Sequence, residues 1–143
     1  MTTSIIIWSL FLLSAQLTHI GDAAREHTKK LEGKWVVRRF EYEEHDLTDY
    51  FKGVSIEFTD KTALVRFTNT QAASDYSLNT SKTPHQIDVV SRASKKTLKG
   101  IYTISDDSLT MCLDITGDHS RPSSFKTRMK SFVAIVQLTR SKP

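Results

Sequence analysis

Apolar and polar residues alternate with a period of two along most of this chain, a pattern typical of β-strands with one buried face. The clearest case is residues 99–115, which fit two strands around a tight turn at Asp106-Asp107. Eight segments fit strands, and only short links join most of them. These segments are Lys34–Glu43, Val54–Phe58, Ala63–Thr68, Ser74–Asn79, His85–Ser91, Gly100–Ile104, Leu109–Ile115 and Phe132–Thr139.

Short links favour an antiparallel meander, because parallel strands need a long crossover, usually a helix, between them. Two segments have a helical pattern, namely a lead-in at Arg25–Leu31 and a stretch at Asp46–Gly53 that ends at a glycine. An open sheet has two exposed edges, and closing the sheet into a barrel removes them. We therefore predict an all-β, up-and-down antiparallel barrel of about eight strands, and a two-sheet sandwich is the alternative.

The N-terminal region differs in composition from the rest of the chain. Ile5–Ala15 is an apolar run of 11 residues, which is short for a membrane span but suits the centre of a signal peptide. Gly21 and Ala23 supply small residues for a cleavage site after Ala23. We predict a signal peptide at residues 1–23, and one secreted or periplasmic domain without a transmembrane span at residues 24–143. Cleavage after Ala15, an uncleaved anchor and a core helix are alternatives.

Charge is unevenly distributed in this chain, whose net charge is +4. An acidic patch lies at residues 41–49, and only basic charged residues follow Asp118. We interpret both regions as solvated surface, and a basic face for an anionic partner is the alternative. No recognition helix, zinc module or RNA-binding motif is recognisable, so we expect no nucleic-acid partner. We also expect a monomer.

Residues that could carry catalysis or bind a metal form no recognisable pattern. The histidines lack zinc-site spacing, and Gly-x-Ser-x-Gly and Gly-rich phosphate-binding motifs do not occur. Cys112 is the only cysteine, and its place opposite the apolar face of its strand indicates a half-buried structural residue. We therefore expect no enzyme activity, no catalytic residue, no cofactor and no bound metal.

Four ordered motifs resemble those of a known family. Gly33-Lys34-Trp35, at the start of the first strand, is similar to the Gly-x-Trp motif of lipocalins. The segments 84–90, 98–113 and Arg121-Pro-x-x-Phe125 follow, and then a terminal apolar strand. Together they resemble an uncharacterised lipocalin-like bacterial domain family that is abundant in planctomycetes, over residues 31–140. The resemblance implies a small up-and-down β-barrel and no established activity.

Closure of the barrel predicts a contact between its first and last strands. The end of the last strand would lie beside the start of the first, which places Arg140 near Trp35. A guanidinium over an indole is a favourable cation–π arrangement. In lipocalins an arginine of this kind closes the base of the barrel. The resemblance makes Arg140 its counterpart and the Trp35–Arg140 pair a structural plug, with Arg121 as the competing candidate.

A barrel of eight strands either fills with side chains or holds one small ligand. Our candidate ligand-binding residues in the interior are Arg39, Phe58, Tyr76, Tyr102 and Met111. Strict alternation from Trp35 turns Arg39 inward, whereas a β-bulge would turn Phe40 and Tyr42 inward instead. Alternation places these other apolar residues inside: Val37, Val54, Ile56, Leu64, Ile87, Val89, Ile104, Leu109, Leu113, Phe132, Ala134, Val136 and Leu138.

These observations predict an exported, lipocalin-like binding module without catalytic activity. Its ligand would be small and apolar or amphipathic, because the inner face is mostly apolar. The alternative is a protein- or surface-interaction module with a filled core that acts through its outer face.

Overall fold

The structure is a computed structural model that describes residues 21–143. Helix α1 covers residues 21–31, and a short 3-10 helix covers Thr48–Phe51. The predicted lead-in helix is thus confirmed, and the second helical segment is a single 3-10 turn. The strands of the described region are β1 Gly33–Tyr42, β2 His45–Asp46, β3 Ser55–Phe58, β4 Thr62–Arg66, β5 Gln71–Asn79, β6 His85–Ser91, β7 Thr97–Ile104, β8 Ser108–Asp114 and β9 Val133–Arg140.

The sheet closes on itself. Strands β1 and β3 to β9 pair in sequence order, all antiparallel, and β9 pairs with β1. In that last pairing Trp35 lies opposite Arg140 and Tyr42 lies opposite Ala134. Strand β2 is a two-residue extension that pairs with the end of β1. The predicted eight-stranded barrel is confirmed, and a two-sheet sandwich is excluded because β1 has a partner on each side.

A register shift in β1 reverses which of its side chains face inward. The pairing of β1 with β9 shifts between Val37 and Arg39. Val37 is buried in the core before the shift, and Phe40 packs against the core after it, while Arg39 is exposed. An extra residue on one strand moves the following side chains to the opposite face. The prediction that Arg39 lies in the interior is therefore wrong, and the alternative with Phe40 turned inward is correct.

A single core fills the centre of the barrel and includes side chains from strands all around the sheet. The predicted inward face of β4 is wrong. Ala63 and Val65 pack in this core, and Leu64, which lies between them, faces the other side. Phe132 is also misplaced, because it precedes β9, has a φ of 58° and stacks on the imidazole of His119 at 4.6 Å.

Gly100 permits close contact between neighbouring strands. It lies opposite Ile87 on β6 and Leu113 on β8. A Cβ atom at this position would lie 2.7 Å from the carbonyl oxygen of Cys112 and would also overlap the side chain of Leu113. Glycine is therefore the residue that lets Leu113 cover the backbone of β7 inside the barrel.

Residues 115–132, which we name the outer strap, join β8 to β9 across the outside of the barrel. The Arg121 guanidinium donates to the carbonyl oxygens of Gly100 and Ile87, at 2.8 and 3.1 Å, and to the Asp88 carboxylate at 2.7 Å. Arg121 therefore anchors the strap to β6 and β7 and does not plug the barrel, because Asp88 alternates with the inward-facing Ile87.

The outer strap also explains the burial of Cys112. A second apolar cluster on the outer face contains Ile101, Cys112 and Val133, and Phe125 of the strap packs against it. Cys112 is completely buried rather than half-buried. A residue on the outer face of a strand is thus enclosed by a segment without regular secondary structure.

The predicted signal peptide lies mostly outside the described residues. Residues 1–20 are not described, and the proposed cleavage position after Ala23 falls within helix α1. The signal peptide and its cleavage remain predictions. Among the helices described at residues 21–143, none combines the length and the apolar character needed to cross a membrane.

Candidate functional site

The candidate site is the barrel interior, and its two ends differ in what covers them. Helix α1 leads directly into β1 and contributes Leu31 to the core, so we name this the helix end. The antiparallel order places Arg140 and the turn at residues 105–107 at the same end. The opposite end, which we name the distal end, carries the connections at residues 43–44, 67–70 and 92–96.

Arg140 closes the helix end together with Trp35. The Cζ atom of Arg140 lies 4.3 Å from the ring centroid of Trp35, whose side chain is completely buried. The indole N–H donates to the carbonyl oxygen of Leu31 at 2.7 Å. The Arg140 guanidinium donates to the carbonyl oxygens of Lys30, Glu32 and Asp106, at 2.5, 2.8 and 2.9 Å. Positive charge at the carboxyl end of a helix is favourable, so this arginine also stabilises helix α1.

A polar cluster lies beneath helix α1 at the same end. The Tyr102 hydroxyl lies 2.9 Å from Nδ1 of His27, which belongs to the helix. The His27 and His85 rings meet edge to face, with centroids 4.7 Å apart. His85 Nδ1 lies 3.1 Å from the carbonyl oxygen of Lys82. In each imidazole, the Nδ1 atom thus lies within hydrogen-bonding distance of a protein oxygen.

Burial shifts the pKa values of two members of this cluster, Tyr102 and His27. Desolvation raises the pKa of Tyr102 to about 12, so the phenol keeps its proton and can donate to His27. Desolvation, followed by repulsion from His85 and Lys30, lowers the pKa of His27 below its usual 6.5. Both shifts favour the neutral forms, which cost less than charged forms to bury in an apolar interior.

Four predicted ligand-binding residues lie together in the interior, and the fifth does not. Phe58, Tyr76, Tyr102 and Met111 are all buried in the core cluster. Phe58 and Tyr76 meet edge to face at 5.3 Å, and the Tyr76 hydroxyl donates to the carbonyl oxygen of Thr59 at 2.6 Å. The hydroxyl groups of both tyrosines are therefore satisfied within the protein.

Arg39 is the predicted residue that the structure places elsewhere. It lies in a cleft of ≈ 410 Å³ on the outer surface, which it lines with Lys126 of the strap and Gln137 of β9. Arg39 forms an ion pair with Glu41 at 3.0 Å. The bulge in β1 explains this position.

Interior side chains range from completely buried to partly exposed at both ends of the barrel. The exposed fractions of Trp35 and Leu138 at the helix end are 0% and 1%, and that of Leu113 is 8%. Val65 and Val89, which also face the interior, are only partly buried. Partly exposed side chains therefore face the interior at the distal end, as Leu78 and Ile104 do at the helix end.

Small side chains are concentrated on the inner face near the distal end. The strand register places Ser74 opposite Ser91, Ala72 opposite Val65, and Ala134 opposite Leu113. The 3-10 helix covers one side of this end, where Phe51 stacks on Phe40 with centroids 3.8 Å apart. Small and aromatic side chains thus line the inner face at the distal end, which we name the mouth.

His27 and His85, which are half-buried beneath helix α1, are not among the residues that the sequence pattern predicts for the site. Both could have been found, because His27 precedes the buried Leu31 by one helical turn and His85 alternates with the buried Ile87. Within residues 21–143, no group of three or more His, Cys, Asp or Glu side chains is arranged to hold a metal ion.

Comparisons with known proteins complete the description of the site. No protein-family model, curated protein or solved structure matches this chain.

Proposed function

We propose that this protein is an exported, lipocalin-like binding module that takes a small apolar or amphipathic ligand into the distal end of its barrel. The observation that supports the proposal is that helix α1 and Arg140 close the helix end, whereas small side chains face inward at the distal end. Large, fully buried side chains such as Trp35 fill the helix end, whereas small or partly exposed side chains such as Ser74 and Val89 line the distal end. Binding pockets are generally concave, mostly apolar and largely preformed.

The chemistry of the mouth indicates the class of ligand. Phe40, Val65 and Val89 supply apolar contacts. Ser74 and Ser91 add hydroxyl groups that can orient one polar group of a ligand. No catalytic step forms part of this proposal, because the side chains that line the mouth are aliphatic, aromatic or hydroxylic.

Export and family membership are parts of the same proposal. The apolar run at residues 5–15 and the small residues Gly21 and Ala23 support export. The Gly-x-Trp motif at residues 33–35 and its position at the start of a closed barrel support kinship with lipocalin-like domains.

Native mass spectrometry and a thermal-shift screen test the proposal. Fatty acids, isoprenoids and aromatic metabolites are the probes, because they sample apolar ligands with and without a polar head. A ligand present at about 100 times its dissociation constant adds about 2.7 kcal/mol to the free energy of unfolding. We expect at least one class to raise the melting temperature. A protein that emerges empty and responds to none of the probes contradicts the proposal and favours an interaction module with a filled core.

Two neighbouring alanines of β5 provide a matched test of where the ligand binds. Ala72 is on the inner face at the distal end, and Ala73 is on the opposite face of the same strand. We expect Ala72→Trp to block the mouth and abolish the ligand-induced thermal shift, and Ala73→Trp to preserve it. Equal binding by both variants would exclude the distal end as the site.

A further inference from the structure

Helix α1 is held on the barrel by two sets of contacts of different chemistry. Its carboxyl end is held by Trp35 and Arg140, which donate to the carbonyl oxygens of Leu31, Lys30 and Glu32. Neither the indole nor the guanidinium changes its charge between pH 5 and 8. This set of contacts is therefore insensitive to mild acid.

The second set depends on histidine. One helical turn before Leu31, the His27 ring contacts Tyr102 of β7 and His85 of β6. The other charged groups that affect His27 lie on its own helix, where Lys30 opposes protonation and Glu26 favours it. Tyr102 stays neutral over this pH range, so His27 is the group whose change of charge would affect this contact.

We propose that helix α1 is a pH-sensitive latch, which stays docked over the barrel while His27 is neutral and loosens when His27 is protonated against Tyr102 and His85. The His27 ring lies 4.7 Å from that of His85 and contacts the buried, neutral Tyr102, so neither of these neighbours supplies an anion that would stabilise a charged His27. The carboxyl end of the helix remains attached through Arg140, so opening starts from the amino-terminal turns.

The direction of the pH effect follows from proton linkage. An undocked His27 titrates near 6.5, and the docked one titrates at a lower pH. The undocked state therefore binds more protons in acid, and docking becomes more favourable as the pH rises. Docking is fully stabilised above about pH 6.5 and is lost progressively as the pH falls below it. Each unit of difference between the two pKa values corresponds to a change of about tenfold in the docking equilibrium.

Amide hydrogen exchange of the full chain, followed by NMR, measures this opening. Protection factors remove the intrinsic effect of pH on exchange, and the amides of β7 and β8 serve as internal references. We expect protection in residues 25–29 to fall about tenfold relative to the strands between pH 7.5 and pH 5. Constant relative protection across this range would overturn the proposal.

Three variants separate a latch from a merely structural contact. His27→Gln keeps a hydrogen-bonding group but cannot be charged, so its helix protection should not depend on pH. His85→Gln removes the repulsion, so the His27 titration should move to higher pH. His45→Gln, in β2 and exposed at the distal end, is the matched control and should behave as the unmodified protein does.

Each of these outcomes decides the proposal. Unchanged pH dependence in His27→Gln would refute the latch. If that variant does not fold, His85→Gln decides. A rise in the pH midpoint of the His27 titration supports the latch, and an unchanged or lower midpoint refutes it. The experiment requires no ligand, so its result is independent of the function proposed for the distal end.

Discussion

The guanidinium of Arg140 stacks over the indole of Trp35, with its Cζ atom 4.3 Å from the ring centroid. The two residues are directly opposite each other in the pairing that closes the barrel. The same arginine also holds the carboxyl end of helix α1 and the carbonyl oxygen of Asp106 in the turn before β8. One side chain thus connects the first strand, the last strand, the helix and a hairpin turn.

Trp35→Ala should strongly destabilise the protein. The indole is completely buried and donates a hydrogen bond to the carbonyl oxygen of Leu31. Its removal leaves a cavity and an unpaired carbonyl group, and we expect a loss of about 3–5 kcal/mol in the free energy of unfolding, measured by urea denaturation. Tyr50→Ala is the control, because Tyr50 is 84% exposed. A loss below about 1 kcal/mol for Trp35→Ala would contradict the interior position of the ring.

Arg140→Lys should destabilise the protein although it preserves the charge. Lysine cannot stack a planar group on Trp35 or donate in three fixed directions to separate carbonyl oxygens. We expect a loss of about 1–2 kcal/mol in urea denaturation. Arg38→Lys, which removes one exposed hydrogen bond to Thr139, is the matched control and should have little effect. Equal effects of the two variants would show that the plug contributes nothing specific.

The closure of the barrel could be predicted because it depends on patterns that the sequence displays directly. The alternation of apolar and polar residues indicates which side chains of most strands face inward. The short links between strands require sequence neighbours to pair in an antiparallel arrangement. Pairing of the first and last strands then places Arg140 beside Trp35. The face of β1 beyond Val37 could not be predicted by alternation, since a β-bulge shifts its register there.

Tertiary contacts explain the remaining errors in the sequence analysis. The outer strap has no periodic pattern, so neither the anchoring by Arg121 nor the complete burial of Cys112 was predicted. Docking of helix α1 joins His27 to Tyr102 across 75 positions of sequence, so local periodicity can indicate that His27 faces the barrel but not which residue it contacts. The polar cluster of the candidate site was therefore missed, whereas its aromatic residues were found.

Gly100→Ala tests how tightly β7 and β8 pack. The added methyl group would overlap Leu113 and lie 2.7 Å from the backbone carbonyl oxygen of Cys112, which cannot move without disturbing the sheet. Overpacking of this kind costs about 1–3 kcal/mol, and thermal or urea unfolding measures it. Lys99→Ala, at the exposed neighbouring position of β7, is the control and should change the stability little. A Gly100→Ala variant that is as stable as the control would contradict the close approach of β8 to Gly100 of β7.

Cys112 should be inert in the folded protein and thereby report on the outer strap. Burial raises the pKa of its thiol to about 11, although a hydrogen bond from the Lys126 backbone acts in the opposite direction. The unfolded thiol titrates near pH 8.5, so this group makes folding less favourable as the pH rises above that value. Because Cys112 is the only cysteine, iodoacetamide labelling followed by mass spectrometry measures its reactivity alone.

We expect labelling at pH 8 to be at least about 100-fold slower in the native protein than in concentrated urea, because both thiolate content and access fall on folding. Phe125→Ala should accelerate native labelling, since Phe125 is the strap residue that packs on the outer cluster containing Cys112. Met129→Ala removes an apolar side chain that is 55% exposed on the same strap, and it should leave the rate unchanged. If Phe125→Ala and Met129→Ala label at the same rate, the strap does not protect the thiol, and its burial must come from β7 and β9 alone.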